Sequence, residues 1–206
     1  MKTNYELRYA CDPRDAKSYD TTRLRGDFLI EKIFTDNEVN MVYSMYDRLI
    51  VGGAKPLGET LILEAIDPLK ATHFLSRREL GIFNVGGPGR VKAGDAIFDL
   101  NYKEALYLGA GERTVTFESI DPKNPAKFYF NSAPAHKTYP DKKVTKADAV
   151  VAEMGSLEGS NHRNINKMLV SQVLETCQLQ MGMTELQPGS VWNTMPAHTH
   201  SRRMEA

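Results

Sequence analysis

The stretch His198-Thr199-His200-Ser201-Arg202-Arg203-Met204-Glu205 decides the reading of the fold, because a weaker copy stands far upstream as His73-Phe74-Leu75-Ser76-Arg77-Arg78-Glu79-Leu80. Laying Ser76-Arg77-Arg78 on Ser201-Arg202-Arg203 places His73 on His198, Leu75 on His200 and Leu80 on Glu205. Each copy follows a strand-like run and a turn with Gly and Pro, at residues 52–56 and 188–189. Such repetition points to a duplicated unit whose first copy has exchanged two of three polar positions for leucine. A Ser-Arg-Arg match also arises by coincidence, so the strand pattern must carry part of the argument.

That pattern is β-rich. Residues 40–46 alternate polar and apolar, and 48–51 end at Gly52-Gly53. Runs at 80–85, 96–100, 105–108, 114–117 and 126–130 follow at the spacing of a sandwich or barrel, and strands resume at 166–170 and 175–184. Helical periodicity is confined to short pieces at 12–18, 31–40 and 146–153. Gly86-Gly87-Pro88-Gly89 and Leu108-Gly109-Ala110-Gly111-Glu112-Arg113-Thr114 are read as hairpin turns. Neither is a phosphate loop, since that chemistry needs a helix N-terminus and the second continues as Val115-Thr116-Phe117. The expectation is an all-β chain of two antiparallel β-barrels of jelly-roll type. Residues 1–23 form an extension, 24–140 the first barrel, 141–165 a linker, and 166–206 the first part of a second barrel.

On a strand, residues i and i+2 face one way, so His198 and His200 project together, roughly 6.6–6.8 Å apart along the rise. A local bend lets Glu205 close on the same point. Two imidazoles and a carboxylate are three ligands of a divalent metal with open positions. The same residues also fit a solvated, charge-rich strand end.

At 206 residues, with 26 basic and 26 acidic side chains, the chain has no electrostatic reason to bind nucleic acid. No apolar run approaches a membrane span, and residues 1–8 lack the apolar core of a signal peptide. Two distant cysteines, Cys11 and Cys177, imply no disulfide framework, and a reducing cytoplasm is expected. Cys177, in an apolar strand-like run, is read as a buried, inert thiol.

The spacing H-x-H-x4-E after Gly189, with its degenerate upstream copy, resembles the cupin superfamily; residues 108–114 resemble that superfamily's second motif, with Thr114 in place of its histidine. Leu186-Gln187-Pro188-Gly189-Ser190-Val191-Trp192-Asn193-Thr194-Met195-Pro196 leading into His198–Glu205 narrows the resemblance to the 5-keto-4-deoxyuronate isomerase family of pectin and uronate breakdown. Arg77-Arg78-Glu79-Leu80-Gly81, Pro125-Ala126-Lys127-Phe128-Tyr129, Ala133-Pro134-Ala135-His136 and Leu174-Glu175-Thr176-Cys177-Gln178-Leu179 are similar too.

The resemblance implies a bicupin, a homohexamer, and one zinc per subunit held by three histidines and a glutamate. Three ligands carry over to His198, His200 and Glu205, and the fourth, a histidine, is expected on a strand beyond Ala206. Other divalent ions remain open. The implied reaction is a ketol isomerisation of a small uronate-derived substrate, in which a chelated metal stabilises a cis-enediolate and a base carries a proton between C2 and C1. No residue is named as that base. Arg202 and Arg203 are candidates for the substrate carboxylate, against a structural role in an edge-strand ion pair. A cupin oxygenase and a non-catalytic sugar-binding bicupin are the alternatives.

Overall fold

The computed structural model describes residues 2–191, 200–202 and 204–206. Among these, the chain starts with strand β1 (Lys2–Arg8) and two short helices, α1 (Pro13–Ala16) and α2 (Thr21–Phe28). The strands β2 (Glu38–Ser44), β3 (Ile50–Ala54), β4 (Leu61–Ile62), β5 (Arg78–Asn84) and β6 (Gly89–Ala93) come next. They are followed by β7 (Ala96–Leu100), β8 (Ala105–Leu108), β9 (Val115–Ser119), β10 (Phe128–Pro134) and β11 (Lys142–Val144). The strands β12 (Val150–Met154), β13 (Arg163–Leu169) and β14 (Met181–Leu186) complete the set. The all-β expectation holds.

Three sheets form. A seven-stranded sheet runs β1-β2-β3-β10-β5-β8-β11, a four-stranded one β4-β9-β6-β7, and a three-stranded one β12-β13-β14. Pairing is antiparallel except between β1 and β2, which run parallel. The large and four-stranded sheets meet face to face over Ile50, Leu80, Ile82, Phe128 and Phe130 on one side and Leu61, Val91, Val115 and Phe117 on the other. Phe117 marks the contact, its ring centroid 5.2 Å from Phe128 and 6.1 Å from Phe130. The opposite face of the large sheet presents Phe83, Ala105 and Tyr107 to Met168, Leu169, Leu179 and Met181 of the three-stranded layer.

Strand β5 is therefore central to both cores and buried along its whole length. Burial on both faces explains the unbroken apolar run Leu80-Gly81-Ile82-Phe83 at its centre, while the buried polar ends Arg78, Glu79 and Asn84 are satisfied by hydrogen bonds. Gly81 is where the second core comes closest: a Cβ there would stand 2.3 Å from Met181 Sδ and 2.7 Å from Leu169 Cδ1. Only glycine permits that approach.

Four local expectations are corrected. The helix lies at Thr21–Phe28, where the Asp20 carboxylate caps the Arg23 N–H at 2.8 Å, and not at 31–40. The apolar spacing of Ile33 and Phe34 serves instead to pack them over Gly53 of β3. The expected helix at 146–153 is a single 3-10 turn, Lys146–Asp148, closed by a Thr145/Asp148 capping box. Val150 and Val151 then enter β12, as β-branched residues favour. Of the strand expected at 175–184, only the part from Met181 forms; the rest is a loop, and its Cys177 is half-buried rather than sequestered. Finally, the turns at 86–89 and 108–114 are not hairpins, since each carries the chain from the large sheet to the four-stranded one. The first is built by buried Asn84, whose Nδ2 donates to Gly87 O (2.8 Å) and Leu100 O (2.9 Å) while its Oδ1 accepts from Gly86 N (3.1 Å). The hairpin in this region is β6–β7, turning at Gly94-Asp95 with Gly94 at φ +60°.

Candidate metal centre and its cleft

A cleft of about 900 Å³ opens where the large sheet and the three-stranded sheet diverge. Tyr129 and Asn131 of β10 and Phe83 of β5 line one wall, and Ile165 and Lys167 of β13 the other. The loop and strand from Gln178 to Thr184 close one side, and Arg202, Met204, Glu205 and Ala206 line it as well. Burial pushes the Tyr129 phenol above its ordinary pKa, and the neighbouring Asn131 side chain offsets part of that rise. Asn131 is 8% exposed and its Oδ1 lacks a hydrogen-bond partner.

Of the expected ligands, two touch. His200 Nδ1 lies 2.6 Å from Glu205 Oε2, and Arg202 Nη1 lies 3.4 Å from Glu205 Oε1. All three side chains are about half exposed. His198 and Arg203 lie outside the described residues, and among the described residues no three His, Cys, Asp or Glu side chains surround a common point. Donors sharing one tetrahedral ion at bond lengths near 2.0–2.1 Å stand about 3.3 Å apart. The His200–Glu205 pair, at 2.6 Å, is tighter by about 0.7 Å, as suits a hydrogen bond, so a cation replacing the shared proton requires these two exposed side chains to open by about that much. Borderline nitrogen and hard oxygen donors suit zinc and its divalent neighbours. The pair fits such an ion. Arg202, a candidate for the substrate carboxylate, here faces Glu205 instead.

The remaining polar groups brace the cleft. Glu185 of β14 takes Lys103 Nζ at 2.5 Å, Lys146 Nζ at 2.7 Å and Asn166 Nδ2 at 2.9 Å, and these partners hold its pKa down at about 2. Glu79 of β5, fully buried, accepts the backbone N–H groups of Cys177, Gln178 and Leu179, each at 2.7 Å, and the Tyr107 hydroxyl at 2.8 Å. Burial and this carboxylate together push the Tyr107 phenol far up. Sequence reasoning missed both glutamates. For Glu79 a signal existed: a carboxylate directly adjoining the apolar run 80–83. His73 and His162 pair with Glu112 (3.0 Å) and Glu153 (2.6 Å).

A β-rich chain with a histidine–carboxylate pair at an open cleft is the kind of scaffold on which metal-assisted enzymes are built. Residues 28–206 match the model of the KduI/IolB family. Two relatives named 4-deoxy-L-threo-5-hexosulose-uronate ketol-isomerase are close: one from Bacteroides thetaiotaomicron is 81% identical over 206 residues, all of this chain and 74% of its own length. The other, from Formosa agariphila, is 55% identical over 205 residues and 73% of its length. A solved IolB-like protein from Salmonella typhimurium aligns at 20% identity over 58% of this chain and 43% of that one, with a TM-score of 0.42. The chain belongs to the KduI/IolB family, and it is an isomerase.

Proposed function

We propose that the protein converts 5-keto-4-deoxyuronate to 3-deoxy-D-glycero-2,5-hexodiulosonate, with a divalent metal, zinc by preference, one per subunit, held by His198, His200 and Glu205. The observation that carries this reading is the His200–Glu205 contact beside a substrate-sized cleft. The shared name of the relatives supports the substrate class. When bound, the ion supplies Lewis acidity at the substrate's carbonyl and neighbouring hydroxyl.

The chemistry is redox-neutral within one molecule. The C2 hydrogen leaves as a proton and returns to C1, while the hydroxyl proton at C2 ends on the C1 oxygen, so an aldehyde and an alcohol become an alcohol and a ketone. No external oxidant is needed, which separates this reading from a cupin oxygenase. Arg202 and Lys167, both lining the cleft, supply positive charge for the substrate carboxylate, with Arg203 as a further candidate. Tyr129 and Asn131 offer hydrogen-bonding groups to its hydroxyls. The proton carrier between C2 and C1 is not assigned.

The same reading takes the architecture as a bicupin, with a first barrel over residues 24–140, a linker over 141–165 and the metal-bearing barrel from 166 onward. It takes the assembly as a homohexamer working in the cytoplasm, consistent with two free cysteines. The test is turnover by full-length protein before and after chelation, with metal content measured alongside. Loss of turnover on chelation, restored by zinc, is expected, and His200→Ala should lose metal and turnover together. Equal rates with and without chelator would discard the metal role, and absence of turnover in both would favour a sugar-binding protein.

A further inference from the structure

Glu79 is fully buried, yet among the described residues it forms no ion pair. Arg78, next in the chain, acts on it at longer range, and within hydrogen-bonding distance its charge is met by dipoles. Oε1 accepts the N–H groups of Gln178 and Leu179, and Oε2 accepts Cys177 N–H and the Tyr107 hydroxyl. Three successive backbone amides converging on one anion form a nest, which stabilises a negative charge without a cation. These amides belong to the loop between β13 and β14, where no strand ladder offers them a carbonyl. A carboxylate can take four donors across two oxygens, while an amide side chain has one accepting oxygen and turns a donor toward the rest.

The loop so held is a wall of the cleft. Gln178, Leu179, Gln180 and Met181 line it together with Glu205. Around residues 177–179 the ties from side chains of the loop to other elements run to neutral carbonyls, Gln178 Nε2 to Pro134 O (2.6 Å) and Cys177 Sγ to Lys137 O (3.1 Å), while the Lys142 ammonium holds the loop farther back, at Val173 O (2.7 Å). Charge-assisted bonds are the stronger ones, so the position of this wall follows Glu79. We infer that Glu79, from an interior strand of the large sheet, is a positioning residue of the isomerase: its carboxylate clamps the 177–179 amides and thereby places the Gln178–Met181 wall against the substrate. The assignment rests on the cleft being the reaction site proposed above.

Glu79→Gln is the informative variant. The Tyr107 hydroxyl can turn to accept from the new amide, but Cys177 N–H is left facing a donor. In full-length protein, backbone amide exchange at Cys177, Gln178 and Leu179 should accelerate about tenfold or more, while the amides of the β5–β8 ladder keep their protection. For the proposed isomerisation KM should rise and kcat/KM fall about tenfold or more. Val144→Ala, which thins the same core from β11 without touching the clamp, controls for stability: at a comparable loss of Tm it should keep KM and local exchange. Should Glu79→Gln fail to fold, Tyr107→Phe removes one of the four donors and should move exchange and KM in the same direction by less. Wild-type exchange and KM in Glu79→Gln, or an equal kinetic change in Val144→Ala, would overturn the assignment. Absence of turnover in the wild type would overturn the proposed reaction instead, and exchange would then decide the clamp alone.

Discussion

Residues 38–134 and residues 145–191 are both built of β-sheet, but different forces hold them. In the first region two sheets bury Phe117, Phe128, Phe130 and a dense set of aliphatic side chains between them. In the second, β12 buries no side chain completely, and the layer meets the rest of the molecule through a smaller apolar patch around Met168, Leu169, Leu179 and Met181. It relies in addition on two carboxylates, Glu79 reaching out from the large sheet and Glu185 reaching back to Lys103 while also pairing with Lys146 of its own region. Apolar burial is non-directional and tolerates rearrangement, whereas a saturated carboxylate fixes one geometry. The region that carries the cleft is the one fixed by direction.

The largest effect should come from breaking the first region. Phe117→Ala leaves a cavity between Phe128 and Phe130, and about 3–5 kcal/mol of global stability should be lost. Chemical denaturation monitored by amide exchange should show all three sheets opening together, because the large sheet supports the other two. Retained protection of the three-stranded layer alone would mean that it folds independently, and the comparison would need redrawing.

Gly81→Ala attacks the seam between the regions. Its new Cβ meets Met181 Sδ, Leu169 Cδ1 and Leu179 Cδ2, all within 3.0 Å. Overpacking of this kind costs about 1–3 kcal/mol. Protection should fall in β13 and β14 while the β6–β9 ladder holds. Uniform loss across both would show the seam to be part of a single core.

Acid should act on the second region first. Glu185 has its pKa depressed from 4.5 to about 2 by Lys103, Lys146 and Asn166. A depressed carboxylate contributes stability above its unfolded pKa and loses it as pH falls through the folded value, so the window is about pH 4.5 down to 2. The side chain is 13% exposed, and a contribution on the order of 2 kcal/mol is expected after screening by solvent. Glu185→Gln should flatten the acid limb of the stability curve in that window and leave neutral Phe117-dependent stability untouched. An unchanged acid limb would remove Glu185 from the account.

The same contrast explains what could be read from the sequence. Most strand positions in the first region follow from local apolar runs, whereas β6 (Gly89–Ala93), with Arg90 and Lys92 in it, does not. Which sheet a turn leads to is not local, so the turns at 86–89 and 108–114 looked like hairpins although Asn84 directs the first across to another sheet. The spacing of His200 and Glu205 announced their contact, five residues apart. Nothing comparable announced the loop at 175–180, because its organiser, Glu79, is 98 to 100 residues away from the amides it binds. With Cys177 and Leu179 alternating against Thr176, Gln178 and Gln180, that segment reads as strand.

The smallest effect should come from a pair that looks strong. Arg90 and Asp99 face each other across the β6–β7 hairpin, with Nε–Oδ1 at 2.7 Å and Nη2–Oδ2 at 3.0 Å, a bidentate fork. The bond to Arg90 holds the Asp99 carboxyl below its ordinary pKa. Yet the two side chains are 38% and 54% exposed, so water and salt screen the attraction, and ordering both costs rotamer freedom. The backbone of that hairpin is already fixed by the Val91 side of β6, which packs into the first core. Asp99→Asn should therefore cost less than about 1 kcal/mol, and the difference should vanish near 1 M salt. The geometrically similar Arg113–Asp141 pair, at 24% and 15% exposure and with Asp141 also accepting Gly109 N–H, should cost more on the same substitution. Equilibrium denaturation of the two variants at low and high salt measures both. A loss at Asp99 as large as at Asp141 would mean that exposure does not set the worth of an ion pair here, and the account of the exposed fork as screened would fail.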